Sequence, residues 1–460
     1  MTADIETLRR DLLAAVGDRG LLDPDDFSGR SCDPFRPVPI LAPFVVRPAT
    51  AAELSEVVRI AARHGMVIVT HGGLTGLAGG AFTRPDSIVV STERMRAIEE
   101  IDETAQLAVV GAGVPIEELQ NAVEGKGLFY PVDLGSKGSA TLGGTIATNA
   151  GGNHVIRWGM TRQSILGIEA VLADGTVVNA MNRLIKNNSG YDLKHVLIGS
   201  EGTLGIVPRA VVRLVPRPDS QEVAFLAARS MEDVLALLVS ARRLPALSAF
   251  EVMWQDYYRL MAESDTGRCP VAPEFPYYVL IETLGYDESG DRALFERFIE
   301  DVLERGLAAD GVLATSDRQR RDLWHVREGS EVTAHAFGAI VSFDVSVELD
   351  QVSAFVEDAY RNLRERFENV RGVTLGHLGD NNIHLGINIG ATTGQRTIEI
   401  EEAVFDALLP YGGAITAEHG VGSLKRDFLR QHKDASEIAM MRRIKQALDP
   451  DNRLNPGVLL

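Results

Sequence analysis

Short apolar runs separated by glycine-rich connections dominate the chain from about residue 46 to residue 215. Residues 52–65 place apolar side chains on one face at helical spacing and end in a glycine, which predicts a helix. Buried strands are predicted to begin at Met66 and to lie at 87–91, 107–114, 165–178 and 195–207, with a hairpin turn at Asp174–Gly175. The block is therefore predicted to be an α+β nucleotide-binding domain.

A domain boundary is predicted near residues 213–222, where two prolines interrupt the pattern. Beyond it, predicted helices lie at 230–243 and 291–306, and strands at 277–285, 339–348 and 373–389. Such runs favour an antiparallel sheet covered by helices. The expected organisation is a first domain over 1–217 with an N-terminal helix, a second over 218–400, and a segment 401–460 that returns to the first domain and closes the active site.

Composition and charge narrow the class of protein. The 460 residues are 45% apolar and 24% charged, as in a folded globular protein. The net charge of −18 disfavours binding to nucleic acid or anionic membranes, and no apolar run is long enough to span a bilayer. With only Cys32 and Cys269 and no secretory signal pattern, we expect a cytoplasmic protein, and a homodimer is an open expectation.

Three glycine-rich segments lie in the first domain, at 71–80, 131–152 and 199–206. Successive glycines let backbone N–H groups approach an anion such as a pyrophosphate. Neither the dinucleotide fingerprint nor the phosphate-loop motif is present, so each segment alone is equally compatible with a tight turn. Three together favour a large nucleotide cofactor.

Two histidines occur close together in "GHLGDNNIHLGI" at 376–387. A two-residue turn at Asp380–Asn381 would pair Leu378 with Ile383 and place His377 opposite His384, close enough to share a metal ion. Glu418 is a candidate third ligand, and two histidines with a carboxylate form a recurrent catalytic metal site. A chance pairing among the ten histidines is the alternative.

The segments "HGGLTGLAGG", "PVDLGSKGSATLGGTIATNAGG", "GSEGTLGI", "HVREG", "GHLGDNNIH", "AEHGVG" and "LNPG" together resemble the FAD-linked oxidases of the vanillyl-alcohol oxidase superfamily. Within it the chain is most similar to the dehydrogenases of D-2-hydroxyglutarate, D-lactate and glycolate. The resemblance implies a two-part FAD-binding domain of the PCMH type and a cap domain. It also implies an FAD site made of Gly72, Gly73, Leu74, Thr75, Gly76, Pro131, Asp133, Ser139, Thr141, Gly143, Gly144, Ala147, Asn149, Gly151, Gly202, Ile206 and Asn455.

The same resemblance implies the catalytic roles. His377, His384 and Glu418 would bind a divalent metal, usually zinc, and His419 would act as general base. Arg327 would bind the substrate carboxylate, although by itself it is typical of a charge on a helix surface. Some relatives attach FAD through a histidine of the first loop, and Leu74 at the matching place implies non-covalent FAD.

The implied reaction is metal-assisted oxidation of a D-2-hydroxy acid to the 2-oxo acid, with hydride transfer to flavin N5. No nicotinamide fingerprint is present, so an electron-transfer flavoprotein or a quinone is the expected electron acceptor. Ser342, Glu331 and Gly386 stand where the hydroxyglutarate enzymes have Lys, Thr and Asn, which argues against a second substrate carboxylate. A metallohydrolase and a flavin-binding protein without this activity are the alternatives.

Overall fold

The computed structural model describes residues 4–264 and 269–460, which form two compact units. The first unit comprises Met1–Gly152, Gly159–Arg217 and Glu418–Leu460. The second comprises Asn153–Trp158 and Pro218–Ala417. Within the described part of the chain, no helix is both long and apolar enough to cross a membrane.

One sheet of the first unit has four strands in the spatial order Leu21–Leu22, Val45–Val46, Ser87–Ser91 and Val67–His71. The last three are parallel, and the first is antiparallel to its neighbour. The predicted helix is confirmed as Ala51–Arg63, because the Thr50 side chain accepts the Glu53 N–H at its start and Gly65 follows it with φ +66°. Apolar side chains of this helix and of Ile5–Val16 form one core with the sheet.

The other sheet of the first unit is antiparallel, with strands in the order Ile98–Asp102, Leu107–Gly111, Ile206–Arg213, Ile165–Val171 and Val177–Ala180. The predicted hairpin at Asp174–Gly175 is confirmed by the pairing of the last two strands. The strand predicted over 195–207 is wrong for most of its length. Glu201 and Gly202 adopt φ of +50° and +71°, left-handed conformations that a paired strand does not accommodate.

Shorter elements complete the first unit. A two-stranded ladder joins Leu128–Phe129 to Val215–Pro216. The backbone N–H of Ile68 donates to the Arg453 carbonyl at 2.7 Å, so the C-terminal segment lies beside the parallel sheet. The remaining helices are Pro24–Phe27, Ile116–Glu124, Leu142–Thr148, Thr161–Ser164, Lys194–Leu197, Arg426–His432 and Ala435–Leu448.

The second unit is built on a seven-stranded antiparallel sheet. Its strands follow the order Asp310–Leu313, Ser220–Ala228, Tyr277–Gly285, Leu247–Trp254, Arg371–Gly376, Asn382–Asn388 and Val341–Ser346. The predicted antiparallel sheet with helices is therefore confirmed. The helices are Val155–Trp158, Met231–Ala241, Gln255–Glu263, Glu288–Glu304, Asp317–Arg327, Ser330–Phe337, Val352–Arg366 and Thr397–Leu408, with single 3₁₀ turns at Leu349–Gln351, Leu378–Asp380, Thr393–Gln395 and Leu409–Tyr411.

Candidate active site

The first two glycine-rich segments pack directly against each other in the first unit. A Cβ atom on Gly73 would overlap the carbonyl oxygen of Ser139, and one on Gly72 would lie 2.7 Å from Thr141 Oγ1. Thr141 also accepts the Gly144 N–H at the start of Leu142–Thr148. The absence of side chains at both glycines is therefore what lets the two backbones meet.

Backbone donors of the first loop fit the predicted pyrophosphate site. Among the hydrogen bonds between described residues, none is donated by a backbone N–H from Gly72 to Gly76. Leu74 adopts φ +55°, an uncommon conformation for a leucine that turns the chain sharply within the loop. Backbone N–H groups at a tight turn that donate to no protein acceptor are suited to bind an anion.

Asn455 connects the first loop to the third glycine-rich segment. Its side-chain amide donates to the Gly80 carbonyl at 3.1 Å and to the Glu201 carbonyl at 2.8 Å. Its backbone N–H donates to Ile68 at 2.7 Å. Both amide protons are thus directed at protein carbonyls, so Asn455 holds the first and third glycine-rich segments together.

The other predicted FAD residues of the first unit lie on the second and third segments. The carbonyl of Ala147 accepts the Glu201 N–H at 2.8 Å, which joins those segments. Asn149 adopts φ +51° and its side-chain oxygen accepts the Arg162 N–H at 2.9 Å. The structure thereby brings the three glycine-rich segments together. The further residues predicted to bind FAD are Thr75 on the first segment and, on the other two, Pro131, Asp133, Gly143, Gly151, Gly202 and Ile206.

The predicted register of the histidine hairpin is wrong. His384 pairs with Leu375 on one side and with Asp344 on the other, while His377 lies beyond the end of its strand. The reason is that Leu378–Asp380 forms a 3₁₀ turn and Asn381 adopts φ +72°, so the connection is longer than two residues. The two imidazoles are neighbours nevertheless, with ring centroids 5.3 Å apart and planes at 83°.

A buried carboxylate joins two of the predicted site residues. Glu251 Oε1 lies 2.9 Å from His377 Nδ1, and Oε2 accepts from Arg327 Nε at 2.7 Å. Glu251 is 1% exposed and Arg327 is 9% exposed, so Arg327 is not the surface charge that its helix position suggests. Burial would raise the pKa of Glu251, but its contacts with His377 and Arg327 hold it at about 2.

The carboxylate of Asp344, beside His384, binds the segment that precedes Glu418. Its Oδ2 accepts from Thr416 Oγ1 at 3.0 Å and from the Ala417 N–H at 3.1 Å, and its Oδ1 lies 3.9 Å from His384 Nδ1. Ala414 exchanges backbone hydrogen bonds with Ser346 at 2.9 and 3.1 Å. The end of the second unit's chain is therefore fixed to the strand Val341–Ser346.

Glu418 and His419 belong to the first unit, where a second network holds their segment. Glu418 Oε1 accepts the Gly152 N–H at 2.7 Å. Glu201 Oε1 and Oε2 accept the N–H groups of Val421 and Gly422, each at 2.8 Å. The other two predicted metal ligands, His377 and His384, belong to the second unit. A metal ion bound by all three residues therefore stays a prediction.

Sequence reasoning missed Glu251, Asp344 and Glu201, the acids that contact the predicted site residues or the segments that carry them. Glu251 was detectable, because "SAFEVMW" is an otherwise apolar run interrupted by one acid. A buried acid must have partners, so its position in such a run indicates a specific role. Glu201 lies in the third glycine-rich segment, which the sequence analysis identified. No motif in that segment indicates that Glu201 binds Val421 and Gly422.

Comparisons with known proteins show the family to which the chain belongs. A family profile described as FAD linked oxidases, C-terminal domain, matches residues 217–459, and one described as FAD binding domain matches residues 42–181. The D-2-hydroxyglutarate dehydrogenase of Bos taurus mitochondria is 36% identical over 459 residues, covering 99% of this chain and 83% of that protein. The D-2-hydroxyglutarate dehydrogenase of Xanthomonas citri pv. viticola is 36% identical, covering 90% of this chain and 88% of that protein.

The fold is also similar to a solved structure with low identity. The crystal structure of p-cresol methylhydroxylase with substrate bound gives a TM-score of 0.79 at 15% identity, covering 98% of this chain and 96% of that chain. At this identity the similarity concerns the fold alone. It confirms the predicted FAD-binding domain of the PCMH type with a second domain.

Proposed function

Because the chain belongs to the FAD linked oxidases and is an FAD-dependent hydroxy-acid dehydrogenase, we propose that its substrate is a D-2-hydroxy acid with one carboxylate. The observation that carries this proposal is the buried contact of Arg327 with Glu251, next to His377. A guanidinium held inside the protein is suited to a planar carboxylate, which it can bind through two parallel hydrogen bonds.

We further propose that His377, His384 and Glu418 are ligands of a divalent metal, with zinc the expected ion. Two imidazoles and a carboxylate are a donor set that zinc favours. When bound, FAD supplies a hydride acceptor and the metal supplies a Lewis acid that lowers the pKa of a hydroxyl group. FAD is expected to be held non-covalently, since Leu74 offers no nucleophile.

The protein's own residues then have separate tasks. Arg327 binds and orients the carboxylate, and Glu251 fixes the plane of the guanidinium through Nε. His419 takes the proton of the substrate hydroxyl, a role that an imidazole performs well near neutral pH. The glycine-rich segments hold the cofactor by backbone contacts, which leaves the chemistry to the residues of the AEHGVG and GHLGDNNIH segments.

The preference for one carboxylate is supported by the sheet positions beside His384. Ser342 is directly opposite Gly386, two residues from the Asp344–His384 pair and therefore on the same face. Neither residue carries a charge that would bind a distal carboxylate. Glu331 is the third departure, and its side chain lies outside the described part of the structure.

The electron acceptor and the cellular location are proposed from the sequence. An electron-transfer flavoprotein or a quinone is proposed as acceptor because no nicotinamide fingerprint occurs in the sequence. A cytoplasmic location is proposed from the two free cysteines, and the homodimer stays a prediction. Membership of the oxidase family removes the metallohydrolase and the non-catalytic flavoprotein from consideration.

Anaerobic titration of the visible spectrum tests the substrate class. D-lactate, D-malate and D-2-hydroxyglutarate are added in turn, and the loss of the oxidised flavin band near 450 nm is followed. We expect D-lactate to bleach the flavin at lower concentration than either dicarboxylate. Preferential bleaching by D-2-hydroxyglutarate would overturn the preference for one carboxylate, and no bleaching by any of the acids would overturn the substrate class.

A further inference from the structure

We propose that Glu251 is a positioning residue for the reaction, whose two carboxylate oxygens separately orient Arg327 and His377. The inference rests on the proposed function, because it gives Arg327 to the substrate carboxylate and His377 to the metal. Glu251 itself touches neither substrate nor cofactor in this account. Its effect is exerted through the two side chains that it contacts.

Each oxygen of Glu251 has one partner. Oε2 accepts from Arg327 Nε at 2.7 Å, which fixes the orientation of the guanidinium. Oε1 lies 2.9 Å from His377 Nδ1, and since a carboxylate can only accept, Nδ1 carries the proton. The lone pair of His377 is therefore on Nε2, the nitrogen that a metal would bind. A carboxylate behind a histidine ligand is a common way to fix its tautomer and ring orientation.

The negative charge of Glu251 has a second effect, on the binding of a cation beside Arg327. Arg327 Nη2 lies 3.4 Å from His377 Nε2, so a permanent positive charge stands beside the proposed ligand atom. A divalent cation bound there would be repelled by the guanidinium in a buried, weakly screened site. The negative charge of Glu251, within hydrogen-bond distance of both side chains, offsets that repulsion.

A purely structural role explains this carboxylate poorly. Glu251 lies in Leu247–Trp254, a strand that is buried along almost its whole length. An apolar residue there would avoid the cost of removing a charge from water, and buried ion pairs often contribute little to stability. Both of its partners are residues with independently proposed roles in the reaction, which stabilisation of the strand does not require.

The test uses the FAD-loaded enzyme and the variants Glu251→Gln and Glu251→Asp. Glutamine keeps the shape of the side chain but has one accepting oxygen, so it cannot accept from both Arg327 and His377. Aspartate keeps the negative charge but is shorter by one methylene group, so it cannot reach both side chains. The matched control is Glu222→Gln, a buried acid of the same sheet that accepts from Arg292 Nη1 at 2.7 Å and contacts neither Arg327 nor His377.

Three measurements are compared. The dissociation constant for Zn²⁺ is obtained by competition with a chromogenic chelator. The His377 tautomer is read from ¹⁵N shifts of protein labelled at histidine, with His377→Gln used for assignment. The substrate dissociation constant and the limiting rate of flavin reduction are separated by anaerobic stopped flow.

We expect Glu251→Gln to weaken Zn²⁺ binding by about 10- to 100-fold and to raise the substrate dissociation constant. Its His377 should lose the Nδ1–H tautomer at least in part. Glu251→Asp should give intermediate values, and Glu222→Gln should match the wild type in all three measurements.

Two outcomes would overturn the inference. One is a folded, FAD-loaded Glu251→Gln enzyme with wild-type tautomer, Zn²⁺ affinity and substrate affinity. The other needs no variant: wild-type His377 protonated on Nε2. If the wild type and His377→Gln bound Zn²⁺ equally, the metal proposal would fail instead, while the tautomer and the substrate affinity would still decide the role of Glu251.

Discussion

The carboxylate of Glu201 accepts a hydrogen bond of 2.8 Å from the backbone N–H of Val421. It accepts a second hydrogen bond of 2.8 Å from the N–H of Gly422. These contacts lie two residues beyond His419, the proposed base. Burial raises the pKa of Glu201, and the two donated hydrogen bonds oppose that shift. The half-buried Glu201 side chain therefore fixes the backbone that directly follows Glu418 and His419.

Replacing Glu201 with Gln should weaken this support. The amide has one accepting oxygen, so its NH₂ group would face a backbone donor and one buried N–H would lose its partner. We expect the free energy of unfolding to fall by about 1–3 kcal/mol and the rate of flavin reduction to fall with it. Urea denaturation and anaerobic stopped flow measure the two effects, and Glu100→Gln, at an exposed ion pair, is the control. Wild-type values for both quantities in Glu201→Gln would contradict this account.

The base assignment predicts a specific defect in His419→Asn. Asparagine cannot accept the hydroxyl proton, so reduction of the flavin by substrate should slow by about 100- to 10,000-fold. The flavin should stay bound, because the predicted cofactor contacts lie on other segments. Flavin content is read from the visible spectrum and the reduction rate from stopped flow. Reduction at the wild-type rate would remove His419 from the mechanism.

The substrate preference predicts a gain of function in Ser342→Lys. Position 342 is exposed and lies on the face of the sheet that carries His384, so an ammonium group there can approach the distal end of a bound acid. A charge-assisted hydrogen bond should raise kcat/KM for D-2-hydroxyglutarate by about tenfold. Steady-state rates with a dye acceptor measure the change, and Ser342→Gln controls for side-chain length. An equal gain in the Gln variant would show that charge is not the cause.

His71 predicts an acid-dependent loss of stability. It is buried, its Nε2–H donates to the Ala81 carbonyl at 2.8 Å, and burial lowers its pKa from 6.5 to about 4. The unfolded chain therefore binds a proton first as the pH falls, so the stability is fully present above pH 6.5 and is lost between pH 6.5 and 4. At pH 5 the loss should be about 2 kcal/mol relative to neutral pH.

The His71→Gln variant keeps a donor for Ala81 but removes this titration. Its free energy of unfolding, measured by urea denaturation at pH 7 and pH 5, should fall by about 2 kcal/mol less than that of the wild type. Identical losses in the two proteins would show that His71 does not titrate on unfolding in this range.

Local pattern predicted much of the fold but not all strands. The helix Ala51–Arg63 and the hairpin at Asp174–Gly175 could be predicted because their capping and turn residues are recognisable in the sequence. Ser220–Ala228 and Leu247–Trp254 are buried on both faces, so the alternation that marks a half-exposed strand is missing. Their assignment depends on neighbours that are remote in sequence.

The sequence also predicts only part of the candidate site. The sequence places His377 and His384 together, but a 3₁₀ turn ending at left-handed Asn381 sets a register that spacing alone does not specify. Buried Arg327 donates its Nε–H to Glu251, which lies 76 residues earlier in the chain. The sequence marks Glu251 as an acid in a mostly apolar run, but it does not indicate which residues Glu251 contacts, because those partners are determined by tertiary structure.

Metal dependence of flavin reduction tests the central claim most directly. The enzyme is treated with a chelator, its metal content is measured, and its anaerobic reduction by the preferred D-2-hydroxy acid is timed before and after Zn²⁺ is restored. We predict that the metal-free enzyme keeps its flavin but is reduced far more slowly, and that Zn²⁺ restores the rate. Reduction of the verified metal-free enzyme at the original rate would contradict a metal-assisted dehydrogenase.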